Sequence, residues 1–363
     1  MRLVPSFLRP RLAALFLVLA LPDPAALQAR VDEALGRIAV TYPGVVFPAP
    51  RQAATLAADR PAATPPEPVL RIAPQGDDGS DRRVEPMTWH VMTAVSRHLG
   101  GGPGGTGALA TLEAWARAGA LEQLAPAGPG DSLVRSRYTL KRALLPLLAG
   151  YAVLRRDLEP SPPRRAVVET WLGRLVGLAK PVDGSTTARN NHRYMRDAVL
   201  LAWGALTGDE RCFRDGLRGA LQAIAAMRPD GAWPLEVARG ERALWYQRHA
   251  LASLTAAAEI ARSQGIDLWS VEIEGRSLHR AISWLADAIE GDTAGQDLGF
   301  LTERGNGRHY MAWADVYAAR FPERPAARRL AVRLAASHRP LIDDYSGGDV
   351  AKLTGTAAAE FRS

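Results

Sequence analysis

The chain has 363 residues, 47% of them hydrophobic, with a formal charge of +7 and a pI of about 9.9. That is enough apolar material for a sizeable core, and the basic balance suits an acidic partner such as a polyuronate, a nucleic acid or a membrane surface. The single cysteine, Cys212, excludes an intrachain disulfide, and a low aromatic share beside abundant Ala, Leu and Arg favours helix.

Arg2, Arg9 and Arg11 flank the apolar run Leu12–Leu21, which is followed by Pro22 and a small-residue stretch ending at Ala29. This layout predicts a secretory signal peptide over residues 1–29, cut near Ala29, and so a periplasmic or secreted protein. The run is shorter than the ~20 residues needed to span a bilayer, and no later segment is long and apolar enough. No stable membrane insertion is expected after leader removal. Residues 30–107 read as an extended lead-in, with a short helix over 30–39, a polar lid-like loop at 76–86 (GDDGSDRRVEP) and a flexible break from Gly100 to Gly107. Amphipathic helices are then predicted over 108–124, 138–156, 164–179, 191–206, 210–227, 241–264, 276–290, 309–319 and 326–338. Residues 347–363 read as a mobile tail.

Two helices carry the clearest signals. From Met195, apolar residues recur at Ala198, Val199, Ala202, Trp203 and Leu206; Gly208 then closes the helix and Asp209 caps the next. The later helix carries the stripe Leu244, Leu251, Leu254, Ala258 and Ala261 and ends at Gly265. No alternating β-branched run appears. Short connections between successive helices point to antiparallel hairpins packed side by side, an all-α class. Cys212 reads as a small buried hydrophobe.

Two stretches bear chemistry. Asn190-Asn191-His192-Arg193-Tyr194 opens a helix, with Asn191 and His192 on the same face as Met195. The helix N-terminus favours an anion there, although a capping Asn followed by a hydrogen-bonded core His explains the same residues. Glu236 to Leu251 gathers Arg239, Arg242, Tyr246, Arg248 and His249 around the next helix start. Tyr246 lies about 200° round the helix from Leu244, off the apolar stripe, which suits a cleft or a solvated basic face.

Together these stretches, NNHRYM and ERALWYQRHALASL, resemble the alginate lyase family, whose NNHSYW-like segment precedes an arginine-rich stretch ending in RALAY. Weaker similarity covers Leu112–Leu121 (LEAWARAGAL), Leu140–Tyr151 and Arg308–Tyr317 (RHYMAWADVY), so the likeness spans roughly residues 108–340. The resemblance implies an incomplete (α/α) toroid over residues 108–346. It also implies a lyase cutting an acidic uronate polymer, alginate or polymannuronate first, by β-elimination. It makes Tyr246 the base and acid, and Asn191, His192 and Arg239 the groups that neutralise the substrate carboxylate. It assigns Arg242, Tyr194, Tyr138, Lys141, Arg308 and Tyr310 to substrate binding, and it implies no cofactor. Elementary chemistry agrees: the C5 proton of a uronate is lost only if the carboxylate charge is offset, and a tyrosine serves as base only beside positive charge.

Departures from the family pattern surround these residues. Arg193 and Met195 stand where the family has Ser and Trp, and Gln247-Arg248-His249 where it has His-Asn-Tyr. In the lid-like segment Gly79-Ser80-Asp81 matches, but Gly76 stands at the upstream basic position, leaving Arg82 or Arg83 as substitutes. These changes bear on which polymer is cut, glucuronan included. A toroid hydrolase would need a carboxylate pair, with Asp230, Glu236 and Glu241 as candidates. A non-catalytic polysaccharide-binding or export protein is a third reading. Nucleic-acid binding is disfavoured because the basic residues are dispersed. His90, His98, His279, His309 and His338 show no metal-ligand spacing, so no metal is expected, and His309 reads as a partly buried histidine beside the cleft or in the core.

Overall fold

The computed structural model describes residues 24–36, 46–47, 65–75, 80–291, 293–305 and 307–356. The expected leader core Leu12–Leu21, most of the lead-in, Gly76–Gly79 of the lid-like loop and residues 357–363 lie outside the described residues. Thirteen helices are described: α1 Pro24–Gly36, α2 Glu85–Leu99, α3 Gly105–Ala118, α4 Val134–Leu158, α5 Pro162–Ala179, α6 Asn191–Thr207, α7 Glu210–Ala225, α8 Pro234–Val237, α9 Ala243–Ser263, α10 Leu278–Glu290, α11 Ala312–Arg320, α12 Pro325–Leu334 and α13 Val350–Leu353. The β content among these residues is one parallel pair of two-residue strands, β1 Arg71–Ile72 beside β2 Gln123–Leu124, together with isolated bridges.

Consecutive helices pair as hairpins: α2 with α3, α4 with α5, α6 with α7, α9 with α10, and α11 with α12. The first members also pack in sequence, α2 on α4, α4 on α6, α6 on α9 and α9 on α11. This is an all-α incomplete toroid, with those five helices inside and their partners outside. The reason lies in the sequence pattern. Inner helices are apolar around most of their circumference, as α9 shows, with every residue from Gln247 to Ala261 buried. Outer helices are amphipathic; in α12 the buried residues are Ala326, Ala327, Leu330 and Leu334. The predicted punctuation of α6 and α7 holds: Gly208 adopts φ +79°, and the Asp209 side chain accepts from the Cys212 backbone N–H at 3.0 Å. Close approach of α7 to α6 depends on Gly219, where a Cβ would overlap the Asp197 carboxylate. Cys212 is buried and its thiol is pushed up to about 11, first by burial and then by Asp209, so it is an inert packing group.

Three features depart from the sequence reading. Residues 85–99, left within the lead-in, form α2, the first inner helix, with Met87, Val91, Val95 and Leu99 buried. Its stripe was obscured by Thr88, Trp89, His90 and Ser96. The break at 100–107 is shorter than expected, because α3 begins at Gly105. The expected tail is not a tail over its first ten residues. After a single 3₁₀ turn at Asp344–Ser346, α13 packs on α2 and α11, and Val350 and Leu353 are buried. The turn itself touches α2, α4 and α9, so this segment bridges the open side of the ring. Helix α1 runs continuously through Ala29 and packs on α7, where Gln222 donates to Gln28 at 3.0 Å.

Candidate active site

Three inner helices begin near one another at one end of the toroid, and each brings site residues in or near its first turns: Tyr138, Lys141 and Arg142 on α4, Asn191 and His192 on α6, and Tyr246 and His249 on α9. Converging helix N-termini give this end a positive bias. The C-terminal 3₁₀ turn adds Tyr345. The Tyr138 and His192 rings lie 4.8 Å apart, Tyr138 and His249 6.3 Å, and His249 and Tyr345 4.0 Å. Tyr246 stacks with His249 at 6.3 Å, one helical turn away, and the Arg239 guanidinium sits 4.4 Å from the Tyr246 ring centroid. The four residues assigned to catalysis come together through Tyr138, which the resemblance assigned to substrate binding, and through His249 and Tyr345, to which it assigned no role.

The start of α6 is built differently from the expectation. Asn190, not Asn191, is the cap: its side chain accepts from the His192 backbone N–H at 3.1 Å, and its carbonyl accepts from the N–H groups of Arg193 and Tyr194. The backbone N–H of Asn191 donates to Glu236 Oε1 at 2.6 Å, and its side-chain N–H donates to Oε2 at 2.9 Å. The helix N-terminus thus holds one of the protein's own carboxylates, and its first N–H groups are occupied. A substrate carboxylate has to be met by side chains. Glu236 sits on the short α8, fully buried, and burial pushes it up to about 7 against the two Asn191 hydrogen bonds and Arg239. Asn191 Oδ1 and His192 Nδ1 are buried without a hydrogen-bond partner, so the reading of a hydrogen-bonded core histidine does not hold at Nδ1. Burial first, then Lys141 and Arg239, bring His192 down to about 3, which makes it neutral at physiological pH.

The residues assigned to substrate binding divide. Tyr138 borders the cleft and shares a 2.7 Å hydrogen bond between its hydroxyl and that of Tyr345; burial pushes its hydroxyl up. Lys141 is buried, and burial pushes its amine down to about 8 although Asp183 opposes this. Arg242 is exposed at the α9 entrance. Arg308 is committed to an ion pair with Glu85 at 3.3 Å, bracing α2. Two of the assigned residues lie in the interior. Tyr194 is 3% exposed, donates its hydroxyl to the Arg189 carbonyl at 3.1 Å and packs on Trp233, so it belongs to the core. Tyr310 is also buried: its hydroxyl accepts from Arg304, and its ring packs on Trp245 and Tyr345. His309 is fully buried, with Nδ1 accepting from the Met311 N–H at 3.0 Å.

Beneath the cleft lies a charged layer that the sequence did not announce. Arg142 pairs with Asp344 at 2.6 Å and rests over the Tyr345 and Tyr138 rings. Burial opposes both charges, yet Asp344 raises Arg142 and the Arg142 and Arg308 guanidinium groups lower Asp344. Arg248, fully buried, faces Tyr310, Trp245, Tyr345 and Phe300 at 4.6–5.9 Å, with no hydrogen-bond partner on its guanidinium. Gln247 fixes the turn before α8, accepting from the Trp233 N–H and donating to the Gly231 carbonyl. Asp81 of the lid-like segment is buried against Arg83, and its N–H donates to Thr139 at 3.0 Å, which ties the start of α2 to α4. No group of three or more His, Cys, Asp or Glu able to hold a metal occurs among the described residues.

A family model described as alginate lyase matches residues 112–294, half of the chain. A polysaccharide lyase from Stenotrophomonas maltophilia is 30% identical over 222 residues, 59% of this chain and 62% of that protein, so the match spans less than two thirds of the relative's length. Among solved structures, alginate lyase A1-III from a Sphingomonas species superposes with a TM-score of 0.61 at 22% identity, covering 90% of this chain and 94% of that one. A variant of alginate lyase A1-III complexed with tetrasaccharide gives a TM-score of 0.64 at 22% identity over 92% and 96%. An alginate lyase from Bacteroides ovatus gives 0.55 at 17% over 91% and 92%. These structural likenesses establish the toroid fold.

Proposed function

The chain belongs to the alginate lyase family, and from that premise we propose that it is a polysaccharide lyase that cuts an acidic uronate polymer by β-elimination. Alginate or polymannuronate is the first candidate substrate. The observation that carries the reading is the convergence of Tyr246, Arg239, Asn191 and His192 at one end of the ring, with Arg239 4.4 Å from the Tyr246 ring centroid and His192 held neutral. Similarity to a structure solved with a bound tetrasaccharide supports an oligosaccharide ligand for such a cleft.

In this mechanism Arg239 and Asn191 bind the uronate carboxylate and stabilise the enolate-like charge that develops when C5 loses its proton. Tyr246 takes that proton, the C4–O bond breaks as the C4–C5 double bond forms, and the proton passes from Tyr246 to the departing oxygen. One phenolic oxygen serves as base, entering as the phenolate, and then, as the phenol, as acid. Neutral His192, its ring tilted against Tyr138, adds an uncharged hydrogen-bonding edge and keeps the alternative of acting as base. The hydrolase reading is disfavoured by the carboxylates themselves. Glu236 is fully buried and bound to Asn191, Asp230 is paired with Arg228, and Glu241 is exposed, so they do not form a pair flanking a bond. No described helix is long and apolar enough to cross a membrane. Export through the Leu12–Leu21 leader completes the proposal.

Ultraviolet absorbance followed over time on alginate, polymannuronate, polyguluronate and glucuronan tests it. Elimination yields a conjugated double bond, and the polymer giving the fastest rise is the substrate. New reducing ends without absorbance indicate a hydrolase, and neither signal with the polymer bound indicates a binding protein.

A further inference from the structure

Asn191 carries part of the proposed chemistry, yet its hydrogen bonding points the wrong way for it. One side-chain N–H is spent on Glu236 Oε2, the backbone N–H on Oε1, and Oδ1 is buried without a partner. A carboxylate ligand needs donors, and the unsatisfied end of this amide is its acceptor. Turning the amide by 180° about its last bond hardly changes its shape and exchanges the two ends. Both side-chain N–H groups are then available to an incoming carboxylate, but Oδ1 now faces Glu236 Oε2. Two acceptors in a dry site repel, unless Glu236 carries a proton. With Oε2–H donating to Asn191 Oδ1 and Oε1 still accepting the Asn191 backbone N–H, the buried atoms of both residues are satisfied.

We propose that Glu236 is a positioning residue that takes up one proton when a uronate carboxylate binds, turning the Asn191 amide so that its N–H groups meet that carboxylate. The inference rests on the lyase reading above. The groups that bear on Glu236 support it. From α6 come Asn191 and Tyr194, whose hydroxyl is pushed up first by burial and then by Glu236; from its own segment comes Arg239; and α9 presents the neutral Gln247 to the turn before α8. Arg239 and the Asn191 bonds favour the carboxylate, burial opposes it more strongly, and the balance near pH 7 makes proton uptake accessible. A substrate carboxylate arriving beside it is a like charge and raises its proton affinity further. The sign follows. Binding that requires a proton on Glu236 is unaffected below about pH 7 and weakens as pH rises above it.

The test compares KM against pH for the wild-type protein and Glu236→Gln on polymannuronate. The Gln side chain donates to Asn191 Oδ1 and accepts the backbone N–H, so it imitates the protonated acid. In the wild type KM is flat below about pH 7 and rises up to tenfold per pH unit above it. In Glu236→Gln KM stays near the low-pH wild-type value throughout. Parallel KM profiles in the two proteins overturn the proposal. A second measurement stands even if Glu236→Gln fails to fold: calorimetric titration of Tyr246→Phe with a mannuronate tetramer at pH 8, in buffers of differing ionisation enthalpy. Most of one proton should be taken up per site, and zero uptake overturns the proposal. Absence of unsaturated product from the wild type on polymannuronate indicts the lyase reading instead, and the proton count then decides this inference alone. A tetramer that does not bind counts against both.

Discussion

The α6–α9 wall and the C-terminal clasp, residues 344–353, meet at the same cleft, and they are anchored over different ranges of the chain. On the wall, Asn191, His192 and Tyr246 lie in two short segments, and two of their buried polar atoms lack partners. In the clasp, Asp344, Tyr345 and Asp349 are tied to distant helices: Asp344 to Arg142, the Tyr345 hydroxyl to Tyr138 at 2.7 Å, and Asp349 to Ser96 at 2.5 Å. Unsatisfied atoms on the wall are a store of binding capacity, which a ligand with complementary groups releases. Asp344 Oδ1 in the clasp and Asp343 Oδ2 just before it also lack partners, but the clasp's long-range bonds to Arg142, Tyr138 and Ser96 close the ring and keep the wall in place. The difference teaches that changes on the wall should move rates and changes in the clasp should move stability.

The sharpest separation comes from ending the chain after Ser346, the boundary the sequence suggested. This removes the burial of Val350 and Leu353, each worth about 1.5–3 kcal/mol, together with the Asp349–Ser96 bond. A loss of roughly 3–6 kcal/mol in urea unfolding is expected, and unchanged stability would make the clasp a dispensable tail. On the other side, Tyr246→Phe keeps the ring and removes the proton-carrying hydroxyl. Turnover on the preferred polymer should fall about 10²–10⁴-fold with the unfolding midpoint unmoved; a near-normal rate would leave the wall without its base. Asp344→Ala strands the buried Arg142 charge and should cost about 3–5 kcal/mol of stability. If it instead lowers only kcat, the two regions are one machine rather than two. The smallest effect belongs to Tyr194→Phe, which loses a single hydrogen bond to the Arg189 carbonyl. About 0.5–1.5 kcal/mol of stability with no change in KM is expected. A raised KM would return Tyr194 to the cleft.

How much was legible follows from the range of each interaction. The helices from α3 to α12 that carry the fold announced themselves because amphipathic spacing, Gly208 and Asp209 act within a few residues. The motif pair was legible for the same reason, since each stretch sits at a helix start. Glu236 appeared only as a hydrolase candidate, because nothing in the run around it reveals that Asn191, 45 positions earlier, is its partner. The resemblance placed Tyr194 and Tyr310 at the substrate, whereas packing of Tyr194 on Trp233 and of Tyr310 on Trp245 and Tyr345 carries both into the interior.

The sequence by itself determined the all-α class and the hairpin order, because helix periodicity and capping are local properties of the chain, and the family resemblance singled out the candidate site residues. Only the tertiary structure decided which of those residues share a cleft, that Glu236 holds Asn191, that His192 is neutral, and that residues 344–353 bridge the ring. Those outcomes depend on burial and on polar groups brought together from distant positions, 253 residues apart in the Ser96–Asp349 bond. Desolvation and Coulomb energies follow distance in space, to which spacing along the chain gives no access.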